Sequence, residues 1–185
     1  MAILFGPHTF SGTDFSPGAD GISHRSAFKL LTGSLGQIRI TLHGGFSTGT
    51  IFDHASIGIG NGTFNDTTAT PTEITFSGGH GVTIAAAGSA VSDWINFSCL
   101  STDTIIVIVD INASGGNVDA DAGVVDATGA TIFSITANGG TYNVATVGAG
   151  TGSNNELWGI VEIETQSGGA APPAPGIIGM ASAEW

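Results

Sequence analysis

Apolar and polar residues alternate with a period of two in the two clearest stretches of this chain, Ile38-Arg-Ile-Thr-Leu42 and Ile160-Val-Glu-Ile-Glu164. Successive side chains of a strand point to opposite faces, so each stretch predicts a strand with one wet and one dry face. Thr104-Ile-Ile-Val-Ile-Val-Asp110 is apolar at both phases and predicts a central strand covered on both sides. The same criteria predict strands over 36–42, 54–60, 73–76, 82–85, 91–96, 104–111, 124–126, 131–135 and 158–165. Asn61-Gly62 and Asn138-Gly139-Gly140 mark tight turns, because Asn and Gly accept positive φ. A helical period is nearly absent, residues 26–31 being the best short candidate.

Short strands, frequent turns and no crossover helices predict an all-β fold, an antiparallel β-sandwich of jelly-roll-like type. Residues 32–165 form the sandwich in this reading. Residues 1–31, with Phe5, Phe10, Phe15 and Phe28, are either an extended N-terminal arm or a first strand of the same sandwich. Residues 166–175 are a Gly/Ala/Pro linker, and 176–185 form an apolar C-terminal tail ending in tryptophan. Ile177, Ile178, Met180 and Trp185 in that tail are the expected contacts to another subunit or partner.

Charge narrows the function classes. Arg25, Lys29 and Arg39 are the only basic side chains against 15 carboxylates, for a formal net charge of −12. Neutralising nucleic-acid phosphates needs Lys and Arg, as does clamping a phosphorylated cofactor or resting on an anionic membrane, so none of these is expected. Charged residues make up 10% of the chain, against about a quarter in typical soluble domains. Ser, Thr, Asn and Gly must therefore cover the surface, which suits a protein partly buried in an assembly. Mean hydropathy is +0.31, yet no apolar stretch approaches the roughly 20 residues of a membrane span. The N-terminus has no basic start and does not read as a signal peptide. Cys99 lies in an apolar run and reads as a buried, inert thiol.

Chemistry-bearing residues are few. Asp53 and His54 are adjacent, which on a regular strand turns them to opposite faces. No Gly-x-Ser-x-Gly elbow exists for a nucleophile, so no catalytic residue is expected and the chain is read as a non-enzyme. Asn117, Asp119 and Asp121 alternate through the densest carboxylate cluster, and on an extended loop their oxygens would share a side, as a structural Ca²⁺ requires. The glycine and the missing terminal Glu depart from an EF-hand loop, so an ordinary acidic loop without cofactor is the plainer expectation. Tyr142 and Trp94 are the candidate rings for stacking on a sugar, Trp94 and Trp158 both being candidates for the core as well.

Ile38–Leu42, Ala55-Ser-Ile-Gly-Ile59, Ile74-Thr-Phe-Ser-Gly-Gly79, Val82-Thr-Ile-Ala-Ala-Ala-Gly88, Val91-Ser-Asp-Trp94 and Thr104–Asp110 follow one another in a recognisable order. Over residues 37–111 this succession resembles the N-terminal β-sandwich domain that precedes the catalytic half of some SGNH/GDSL-type esterases. The catalytic half has no counterpart here, lacking Gly-Asp-Ser-Leu, and His43-Gly44 stands where that domain has Ser-Asn. The resemblance implies a fold and an association with carbohydrate, and no chemistry. Two functions are therefore expected as alternatives. One is a structural module that homo-oligomerises or decorates a particle such as a bacteriophage head or tail, made in the host cytoplasm and carried in the virion. The other is a secreted or cell-surface carbohydrate-binding module.

Overall fold

The computed structural model describes residues 1–18, 21–62, 65–147 and 152–167. Along them run β1 (Ala2–Phe5), β2 (Asp14–Phe15), β3 (Ile22–Lys29), β4 (Ser34–His43), β5 (Thr50–Ile59), β6 (Thr72–Ile74), β7 (Val82–Ile84) and β8 (Ser89–Val91). They continue as β9 (Ile95–Cys99), β10 (Thr104–Ile111), β11 (Val118–Ala122), β12 (Phe133–Asn138), β13 (Gly152–Asn154), β14 (Glu156–Trp158) and β15 (Ile160–Ser167). No helix occurs among the described residues, and the fold is the expected all-β antiparallel sandwich.

One sheet runs β1-β15-β4, with β8 and β9 sharing the far edge of β4. The other runs β13-β12-β3-β10-β5, with β6 and β7 sharing the far edge of β5. A third ribbon joins β14, β11 and β2. Ile38, Ile40 and Leu42 of β4 and Ile163 of β15 point inward, where they meet Phe28, Phe52, Ile57, Ile105, Val107 and Val109 in one buried cluster. Burying each such side chain stabilises the fold by about 1.5–3 kcal/mol, which explains why the alternating stretches pair as they do.

β10 occupies 104–111 as expected, between β3 and β5, and Ile105 to Ile111 are all buried. Its outer phase, Ile106 and Ile108, is dry because the segments 65–69 and 139–147 lie over this sheet. Thr67 N–H donates to the Ala145 carbonyl at 2.8 Å, and Val147 N–H donates to Asp66 Oδ1 at 2.7 Å.

Several expectations are corrected. Residues 26–31 are not helical, since Ser26 to Lys29 belong to β3, flanked by β10 and β12. Of the two alternatives for residues 1–31, strands are found, namely β1, β2 and β3. The 91–96 stretch breaks into β8 and β9, because Ser92 turns inward: its hydroxyl accepts Ile40 N–H at 3.0 Å and its own N–H reaches the Ile40 carbonyl at 2.9 Å. The 158–165 stretch is split at Gly159, whose φ of +62° no side chain tolerates well and whose Cβ would stand 2.9 Å from Phe52 Cζ. Residues 124–126 carry only an isolated bridge, Val125 to Thr131. The acidic stretch expected as a loop is strand β11. Cys99, by contrast, is buried as expected, and burial pushes its thiol pKa up.

Candidate functional site

The regular ladder between β5 and β10 slips at one place: Asp110 faces His54, but Ile111 faces Phe52. Asp53 is the extra residue of a β-bulge. Phe52 and Ala55 both point into the core, so both residues between them turn outward. This overturns the expectation of opposite faces for Asp53 and His54, and the bulge is the physical reason. β6 pairs only with 55–57 and β7 only with 50–52, leaving the bulge opposite the connecting segment 75–81.

That segment is shaped by Asp93. Its carboxylate accepts the Thr75 hydroxyl at 2.7 Å and the N–H groups of Ser77 and Gly78 at 3.1 and 2.8 Å. The Gly78 N–H and the Thr75 hydroxyl hold its pKa below the usual carboxylate value. Gly81 presses on the strand, since a Cβ there would lie 2.5 Å from the carbonyl oxygens of Phe52 and Asp53. The result is that His80 is delivered above His54. Both Nδ1 atoms lie 2.9 Å from one oxygen, Oε1 of Glu73 on β6. His54 and Glu73 are half-buried and His80 is exposed. Tyr142 stacks on the His54 ring with centroids 3.8 Å apart and planes parallel. A cavity of about 510 Å³ opens beside them, lined by Asp53, Asp110, Asn112 and Tyr142 as well.

The cluster expected for calcium is assembled differently. Asn117 immediately precedes β11, while Asp119 and Asp121 are on it and are each engaged by a histidine. His43 Nδ1 is 3.2 Å from Asp119 Oδ2, while the buried Asp119 Oδ1 has no hydrogen-bond partner. Burial pushes the Asp119 pKa up, with His43 opposing it. Asp121 meets His8 Nε2 at 3.0 Å and accepts the N–H and hydroxyl of Ser11. Burial alone would raise its pKa, but those Ser11 and His8 contacts outweigh it and hold it low. The Asn117 carbonyl accepts the Thr50 hydroxyl, and its side chain bonds Asp14. Asp121 and the Asn117 carbonyl thus already have protein donors.

The two candidate sugar-stacking rings are on opposite sides of the molecule. Trp94 is half-buried outside the first sheet, under the Arg39 guanidinium at 4.5 Å, and Arg39 Nε donates to Glu164 at 2.6 Å. Tyr142 covers the outer face of the second sheet. They do not make one platform. Trp158 is in the core. Ile177, Ile178, Met180 and Trp185 lie outside the described residues.

Among the described residues, His54, Glu73 and His80 are the one group of three acidic, thiol or imidazole ligands with donor atoms all within 4.8 Å. Sequence reasoning passed over them, because no spacing motif links 54, 73 and 80. A bulge, a strand pairing and a turn bring them together. Compared with known proteins, the chain matches no family model, and no curated protein matches it.

Proposed function

We propose that the chain is a non-catalytic structural module, a jelly-roll-like sandwich that oligomerises on or decorates a larger particle of the kind found in a bacteriophage head or tail. The observation that carries this reading is the open edge of the first sheet. Among the described residues β1 is hydrogen-bonded to β15 alone. Its Ala-Ile-Leu-Phe run carries neither a charge nor a proline to discourage another strand, and Met1 and Ile3 are 81% and 54% exposed. Such an edge is a template for strand addition from another chain. Ala2 pairs with Thr165, which places the end of β15 beside this edge. The spacer 168–175 reaches at most about 28 Å when extended. In the proposed assembly the apolar peptide 176–185 of a neighbouring subunit lies along β1. Light scattering of the full chain is expected to give a defined oligomer, and Ile3→Lys to shift it toward monomer. A wild-type chain that stays monomeric at every concentration removes the reading.

A free-standing carbohydrate-binding module is the second reading, favoured by one observation. Tyr142 borders a cavity of about 510 Å³ together with the polar side chains of Asp53, Asp110 and Asn112. An aromatic face with a few convergent polar groups suits a sugar ring. Glycan-array binding that is lost in Tyr142→Ala would select this reading, and an array without a hit would drop it.

A further inference from the structure

We infer that His54, Glu73 and His80 bind a single divalent transition-metal ion of the zinc class. The inference is independent of the assembly reading and concerns a site on the opposite sheet from β1. Two imidazole nitrogens and one carboxylate oxygen form a donor set that Zn²⁺ and its neighbours accept, whereas Ca²⁺ and Mg²⁺ prefer oxygen alone. Zinc bonds of about 2.0–2.2 Å place neighbouring ligand atoms roughly 3–3.5 Å apart. Here both imidazole Nδ1 atoms stand 2.9 Å from Glu73 Oε1, and all three donor atoms lie within 4.8 Å of one another. The set needs to spread only slightly to enclose an ion.

Each ligand is positioned by structure that owes nothing to the metal. The bulge at Asp53 turns His54 outward, and the Tyr142 ring fixes the plane of its imidazole. Glu73 is held on β6 opposite Ser56. Asp93 and Gly81 fix the segment that carries His80. Glu73 Oε1 already faces both Nδ1 atoms at 2.9 Å, with His54 within hydrogen-bonding geometry. With the ion in place, each ring would offer it the Nδ1 lone pair and carry its proton on Nε2. Three protein ligands leave a fourth tetrahedral position open on the side of the exposed His80, next to the cavity lined by Asp53 and Asn112. The ion would tie β5, β6 and the 75–81 segment together and present a Lewis-acidic position to solvent.

The test is calorimetric titration of ZnCl₂ into the untagged full chain after dialysis against EDTA. One Zn²⁺ per chain is expected. His80→Ala, at an exposed position in a segment that Asp93 shapes, is expected to keep the fold and weaken binding about tenfold or more, and Glu73→Gln to do likewise. His8→Ala, in a histidine–carboxylate pair remote from this cluster, is expected to bind as the wild type does. Co²⁺ should give a visible absorption band in the wild type that His80→Ala lacks. Absence of saturable binding by the wild type overturns the inference. So does His80→Ala binding as tightly as the wild type, or His8→Ala losing the ion.

Discussion

The imidazole of His24 lies flat on the indole of Trp158, with centroids 4.6 Å apart and planes 5° from parallel. His24 is fully buried, and Nε2 faces the Glu156 carbonyl at 3.2 Å. Burial drives its pKa from 6.5 down to about 3, against the small upward pull of that carbonyl. Between these values the unfolded chain holds a proton on this residue and the folded chain does not. The stability His24 contributes is therefore full above about pH 6.5 and falls with pH, by about 1.4 kcal/mol per unit, until the folded pKa is reached. Denaturant unfolding at about pH 7.5 and pH 5 should show a steeper loss for the wild type than for His24→Phe, which keeps an aromatic face on Trp158. Equal slopes would contradict this.

Arg25 is 0% exposed at the centre of β3 and acts as a clasp for the segment above its sheet. Its guanidinium donates to the carbonyls of Thr141 at 2.8 Å, Asn65 at 3.4 Å, and also Val144 and Ala145. Burial lowers its pKa, and Asp66 pulls the other way. Arg25→Met removes a buried charge from its acceptors and should cost about 3–5 kcal/mol, with faster amide exchange over 141–147. A loss under about 1 kcal/mol, or unchanged exchange, would count against the clasp.

Asp126 organises the turn that leads into β12. Burial raises its pKa, but the Thr128 hydroxyl and the N–H groups of Lys29, Thr128 and Ala130 outweigh this and hold it low. Asp126→Ala leaves those donors without their acceptor and should cost about 2–3 kcal/mol. Because the folded pKa is depressed, that contribution is present above the ordinary carboxylate value and fades as pH falls through the folded one. Urea unfolding of the two proteins at neutral pH measures the difference.

Calcium should do little. Asp119 and Asp121 are engaged by His43 and His8, and the Asn117 carbonyl by Thr50. Millimolar Ca²⁺ is expected to move the melting temperature by less than about 1 °C. A rise of several degrees would restore the calcium reading.

The legible parts of the fold are those where periodicity reports burial. β4, β10 and the outer half of β15 could be read because Ile and Val alternate or run together there. β3 could not, because Ser23, His24, Arg25 and Ser26 are polar and fully buried. Their partners are remote: Ser23 donates to Asp110 at 2.6 Å, and Arg25 reaches across to Thr141. Buried polar strands look like surface until those partners are known. β11 was hidden in the same way, its carboxylates answered by His8 and His43 from elsewhere in the chain. The His54–Glu73–His80 cluster depends on a one-residue bulge, and a pattern of period two carries no sign of where such a slip falls.

The assembly claim is tested most directly by the native mass of the full chain beside a chain ending at Ser167. The cut follows the end of β15, so both should keep the fifteen strands found among the described residues. The account predicts a defined oligomer for the full chain and a monomer for the shortened one. Two monomers, or two identical oligomers, would contradict it.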